Sequence, residues 1–132
     1  MDKTPIIPPE LQGNYDNWHF SPAVASGDFI FFSGCTGTLA DGSISKEPAR
    51  QFRDAFRKVE KTLHHAGLDF SAVIEMTTYH VGLLKHLDLF KTVKDEFIRE
   101  PYPAWTAIGV SELAGHALLE IKVIARKANA AP

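Results

Sequence analysis

The run Ala23-Val24-Ala25-Ser26-Gly27-Asp28-Phe29-Ile30-Phe31-Phe32 decides the class of fold. Two apolar segments flank Ser26-Gly27-Asp28, a turn signal, so Phe20 to Gly34 is expected to form a β-hairpin. The second arm, Phe29 to Phe32, is apolar without a break, as in a strand covered on both faces.

Outward from the hairpin, residues 48–66 read as a helix. Phe52, Ala55, Phe56, Val59, Leu63 and Ala66 recur at helical spacing and make one apolar stripe. Pro48 suits a first turn, where a missing N–H costs nothing, and Gly67 suits the left-handed residue that stops a helix. The remaining positions carry Arg50, Arg53, Asp54, Arg57, Lys58, Glu60 and Lys61, a charge run expected to be a solvated face. Residues 72–81 are rich in β-branched side chains and read as a strand. A second helix is expected over 86–99, closed by Pro101, and two more strands over 105–110 and 118–125. The order hairpin, helix, strand, helix, strand, strand predicts an α+β fold: one mixed sheet with two helices on one face. The other face would be left bare and apolar, which implies a partner subunit.

At 132 residues the chain fits one domain, set here at 20–126. Residues 1–19, with Pro, Asn and Gly and no period, are expected to be an irregular arm, and 127–132 a frayed tail. The net charge of −2 lacks the basic footprint of a nucleic-acid binder, and no apolar run approaches the ~20 residues that span a bilayer. Neither nucleic acid nor membrane is an expected partner. The first ten residues have no apolar core of a secretory signal, and Cys35 is the single cysteine, so a cytoplasmic location is expected.

The six histidines show no metal-ligand spacing, and no metal or cofactor is expected. His64 and His65 are adjacent on a helix and point apart. His116 follows a turn, where it could rim a cleft. Cys35 reads as a small buried hydrophobe, and acting as a nucleophile would require an activating base. Glu120 lies among Leu119, Ile121, Val123 and Ile124, which is also how an ordinary exposed acid on a half-buried strand looks.

Three stretches resemble the Rid (YjgF) family, whose members are often labelled endoribonuclease L-PSP. They are Pro22 to Gly34, ending in Ser-Gly; Pro101-Tyr-Pro-Ala-Trp-Thr-Ala-Ile-Gly-Val-Ser-Glu-Leu-Ala-Gly115; and Leu119-Glu-Ile-Lys-Val-Ile-Ala125. The second and third are most similar to the YjgH-like branch. The resemblance implies a chorismate-mutase-like fold and a homotrimer with clefts between subunits that hold a small-molecule ligand. Family deaminases hydrolyse 2-imino or enamine acids and use an arginine, which suits a carboxylate because its planar fork binds bidentately. Trp105 stands at the matching position here, without a charge. Glu120 matches the family's glutamate, Ser33 and Gly34 its Ser-Gly, and Phe20 approximately its tyrosine. The resemblance thus implies Glu120 as the catalytic group and Trp105, Phe20, Gly34, Cys35 and His116 around the substrate. It points to a hydrolase or deaminase of a small imine, enamine or related metabolite, rather than the arginine-dependent 2-iminoacid reaction. A non-catalytic metabolite-binding trimer is the alternative. The ribonuclease label fits poorly with the near-neutral charge.

Overall fold

A computed structural model describes residues 2–128. Six strands, β1 (Thr4–Ile6), β2 (Ala23–Ser26), β3 (Phe29–Phe32), β4 (Val73–His80), β5 (Ala104–Gly109) and β6 (Leu119–Arg126), form one sheet in the order β1-β2-β3-β6-β4-β5. All neighbours are antiparallel except β4 and β5, which run parallel. A parallel pair needs a crossover, and helix α3 (Leu83–Phe97) supplies it. Helices α1 (Gln12–Trp18) and α2 (Pro48–His65) complete the chain. The expected α+β sheet with two helices on one face is what forms, with α1 added at the N-terminal side.

The local chemistry of the main elements follows the sequence. Gly27 takes φ 59° in the β2–β3 turn, the positive value that primed hairpin turns use. At the end of α2, Leu68 N–H donates to Leu63 C=O and Gly67 N–H to His64 C=O, both at 2.9 Å, with Gly67 at φ 77°. That is a Schellman cap, which occupies carbonyls the last turn would otherwise leave open. The arm departs from expectation. Within residues 2–19 the chain is not an irregular arm: β1 pairs with β2 at the sheet edge and α1 follows, ended by His19 at φ 59°. A strand of three residues containing a proline and a polar helix with no buried residue leave no hydrophobic period to read. α3 begins at Leu83 rather than at residue 86, because Gly82 at φ 77° starts it. Of the expected tail, residues 129–132 lie outside the described residues.

The core lies between the sheet and the pair α2 and α3. Leu119, Ile121, Val123 and Ala125 of β6 point into it, opposite Phe52, Ala55, Phe56, Val59 and Leu63 of α2. Phe56 joins the helices, stacked on Phe97 with centroids 4.9 Å apart and on Phe90 at 5.8 Å. The opposite sheet face carries no helix. Phe31 pairs there with Ile124, and Tyr79 with Ile108 and Glu120, and Phe31 and Ile108 are exposed. Among the described residues no helix is long and apolar enough to cross a membrane.

Phe56 is fully buried where both helices meet the sheet. Phe56→Ala should lower the unfolding free energy by about 3–5 kcal/mol, transfer and cavity terms together. Urea unfolding followed by circular dichroism measures it, and a loss under ~1 kcal/mol would mean the site collapses around the gap.

Candidate functional site

Strand β3 does not end its pairing at Phe32. Cys35 and Ile121 exchange two backbone hydrogen bonds of 2.8 Å. From Phe31 to Cys35 the chain takes four steps, while its partner takes three, from Ile124 to Ile121. One residue is therefore surplus, a bulge, the device that re-aims side chains beside sites. The bulge lays Gly34 against the side chain of Glu120. A Cβ built on Gly34 would sit 2.6 Å from Glu120 Cδ and 2.7 Å from Oε2. Glycine is needed here for close approach, not for a positive φ. Among the described residues the Gly34 N–H donates no hydrogen bond, whereas Ser33 N–H donates to Pro22 C=O and Cys35 N–H to Ile121 C=O.

A cavity of about 680 Å³ opens over this point. Glu120, Gly34, Cys35 and Phe20 all line it, with Ser33, Thr36 and Thr38. Trp18 and Asn14 of α1 form part of its wall, so the arm belongs to the site. Ser33 Oγ donates to Ser21 C=O at 2.7 Å and so braces the mouth of the hairpin. Burial pushes the Cys35 thiol up to about 11, the nearby Lys58 works against that shift, and Glu120 adds to it. Cys35 is therefore a neutral thiol at pH 7 and acts as a small packing group.

Two expected residues stand elsewhere. His116 sits in the short turn Ala114–His116, exposed, beside a separate depression that includes Ser111 and Val81. Trp105 is on the helix-covered face of β5, opposite to the bare face that carries Glu120. Its Nε1–H donates to Thr78 Oγ1 at 3.0 Å, its ring lies 5.8 Å from Phe90, and Lys94 Nζ lies 5.0 Å above it. Within one chain, then, Trp105 and Glu120 do not meet, because alternation puts Trp105 on the core side with Met76, Thr78 and His80. Of the α2 charges expected as a solvated face, Arg50, Arg57 and Lys61 are exposed, whereas Asp54 and Lys58 are half-buried, and Asp54, Arg57, Lys58 and Lys61 border the cavity. Lys58 borders the apolar stripe, one residue before Val59, and that border position was the available signal.

Behind Trp105, Thr78 Oγ1 lies 2.7 Å from His80 Nε2. The indole can only donate, so the Thr78 hydroxyl accepts from it, while the donor in the Thr78–His80 bond is set by the imidazole tautomer. Burial pushes His80 down to about 4, and His86 adds to the shift. Among the described residues no group of three or more His, Cys, Asp or Glu side chains could hold a metal ion.

A mixed sheet of six strands with two helices on one face is the architecture of the Rid (YjgF) class of fold. The chain belongs to the family described as Endoribonuclease L-PSP, whose sequence model matches residues 15–127. It is 39% identical to the RutC family protein YjgH of Escherichia coli (strain K12) over 127 residues, 96% of each chain. A solved structure of a protein YJGH superposes with a TM-score of 0.90 at 37% identity, covering 98% of this chain and 100% of the other. A 2-iminobutanoate/2-iminopropanoate deaminase of Dermatophagoides farinae is 27% identical, covering 92% of this chain and 91% of that one. Escherichia coli TdcF with bound serine superposes with a TM-score of 0.77 at 26% identity, covering 83% of this chain and 88% of the other.

The His80 shift sets a pH dependence of stability. The folded-state value lies below the ordinary 6.5, so the unfolded chain binds the proton first as pH falls. Stability from this group is fully present above 6.5 and is lost as pH drops from there to about 4. Unfolding free energies measured across that window should fall more steeply for the wild type than for His80→Leu. Equal slopes would show that His80 is not held neutral.

Proposed function

We propose that the protein hydrolyses a small imine, enamine or related metabolite in the cavity over Gly34. The observation that carries this reading is the Glu120 carboxylate held against Gly34 inside that cavity. A carboxylate within reach of the imine carbon can take a proton from water as the water oxygen adds to C=N. Glu120 hands that proton to the nitrogen, the hydroxyl of the tetrahedral adduct then gives its own proton to the amine, and the C–N bond breaks to release ammonia and leave a carbonyl. The Gly34 N–H, which donates no hydrogen bond among the described residues, would donate to the oxygen that forms. The mite relative's name describes such a deamination, and the TdcF structure holds an amino acid. Both support a small nitrogen-bearing ligand.

The functional unit in this proposal is a homotrimer. The bare sheet face, with Phe31, Ile108 and Ile124, is apolar area that a second copy would remove from water. In such an assembly Trp105 of a neighbouring copy would pack at the cleft, which is the one way it can approach Glu120.

Two measurements test these statements. Sedimentation at micromolar concentration should give about three times the chain mass of 14.6 kDa, and a monomer would remove the intersubunit cleft. Glu120→Gln keeps the shape and removes the base, so turnover of small imines should fall at least about a hundredfold with ligand binding retained. A wild type that binds such ligands and turns over none would make the protein a metabolite binder.

A further inference from the structure

The N-terminal segment gives the cavity over Gly34 an aromatic wall. Trp18, the last residue of α1, is 74% exposed and lines the cavity. Phe20 lines it as well, with Leu11, Pro22 and Leu39. Helix α1 buries no residue, so the fold gives the indole no packing role. A chain of contacts ties this wall to the Glu120 carboxylate. Ser21, the residue after Phe20, accepts the Ser33 Oγ–H at its carbonyl at 2.7 Å, and the Pro22 carbonyl accepts the Ser33 N–H at 2.9 Å. Ser33 precedes Gly34, where a Cβ would lie 2.6 Å from Glu120 Cδ. Trp18 is two residues before Phe20, at most about 7 Å along the chain.

The cavity is larger than a three-carbon imine needs. Its volume of about 680 Å³ would hold roughly twenty waters at ~30 Å³ each. That falls in the range of about 300–1,000 Å³ in which clefts enclose ligands the size of a drug. The side chains that α2 contributes, Asp54, Arg57, Lys58 and Lys61, are all charged. An apolar substituent of the substrate therefore has its place against the N-terminal wall, where it displaces water from apolar surface. An indole offers a broad π face, and a flat ring set against it gains contact energy beyond the area buried. Phe20 adds a second ring without a hydroxyl, so this wall favours a ring over a polar group.

We infer that Trp18, with Phe20, forms a subsite for an aromatic ring, and that the imine or enamine the protein takes carries an aryl side chain. The reaction rests on the proposed function; the ring and its subsite are the addition. Trp18 sets specificity: it holds the side chain of the substrate, while the reacting end lies at Glu120. A second copy of the chain is the competing occupant. The bare sheet face that such a copy would cover carries Phe31, Ile108 and Ile124, whereas Trp18 lies on α1, outside the sheet.

The test is binding, kept separate from turnover. Pyruvate, phenylpyruvate and 3-cyclohexylpyruvate share one head and differ in the substituent, and each is titrated by calorimetry into full-length wild type, Trp18→Ala and Trp18→Phe. Wild type should bind phenylpyruvate at least about tenfold more tightly than pyruvate, and severalfold more tightly than the cyclohexyl compound. Trp18→Ala should lose most of that preference and leave pyruvate unchanged. Trp18→Phe should stay within about threefold of wild type, since it keeps a ring. Thermal melts and sedimentation of Trp18→Ala should match wild type, because α1 buries no residue. Unchanged phenylpyruvate affinity in Trp18→Ala overturns the inference, as does a wild type that binds pyruvate or the cyclohexyl compound as tightly, or binds none of the three. A changed assembly mass in Trp18→Ala would assign the indole to a contact between copies and overturn it too. Imine turnover in wild type, with phenylpyruvate binding unchanged in Trp18→Ala, would sink the subsite and leave the hydrolase standing. Ring-dependent binding lost in Trp18→Ala, in a wild type without turnover, would keep the subsite and sink the hydrolase.

Discussion

The two 2.8 Å hydrogen bonds exchanged by Cys35 and Ile121 tie the core and the cavity to one register. They carry the hairpin past its regular end with one surplus residue, and they place Ile121 under α2 and Gly34 beside Glu120. Strand β6 is the natural anchor for this, because it is paired on both sides, with β3 and with β4. Its alternate residues Leu119, Ile121, Val123 and Ala125 are all buried, so its register is fixed. A slip of one residue would turn that whole row outward. The position of Glu120 is thus set by burial of its neighbours, and its carboxylate need contribute nothing to the fold.

The glycine at 34 follows from that arrangement. Its neighbour is the far part of a flexible glutamate side chain, not backbone. A methyl group there would push the carboxylate aside more readily than it would disturb the strand. The close approach is therefore a constraint on where the acid sits, and hardly one on stability.

The parts of the structure that were legible in the sequence are those with a hydrophobic period. Helix α2 could be read from its stripe and its Pro48 and Gly67 ends, and the β2–β3 hairpin from Gly27 between two apolar runs. What was hidden depends on contacts distant in sequence. The arm gives no period, because α1 buries no residue and β1 is three residues long, yet Trp18 and Asn14 wall the cavity. Lys58 looks like one charge in a solvated run until the segment from Thr36 to Ala40 is seen across from it. Glu120 and Gly34 could be paired from family resemblance, but the surplus residue that joins them is visible only in the register.

Position 105 illustrates the same limit from the other side. The sequence shows an aromatic where the family resemblance implies a cation, and from this alone the cleft lacks a charge. The structure shows the aromatic bound into its own layer, with its indole N–H on Thr78 and Lys94 Nζ 5.0 Å above its ring. The Lys94 side chain is only 14% exposed, so its charge is partly desolvated and the π face is part of its environment. An arginine at 105 would put a second cation beside Lys94 and remove the ring that stabilises it. It would also leave Thr78 without its indole donor, next to a neutral buried His80. Trp105 and Lys94 are therefore coupled, and the absent arginine is a property of the pair. Recovering an arginine clamp in this chain calls for changing both positions, because the single exchange meets like-charge repulsion before it meets a ligand.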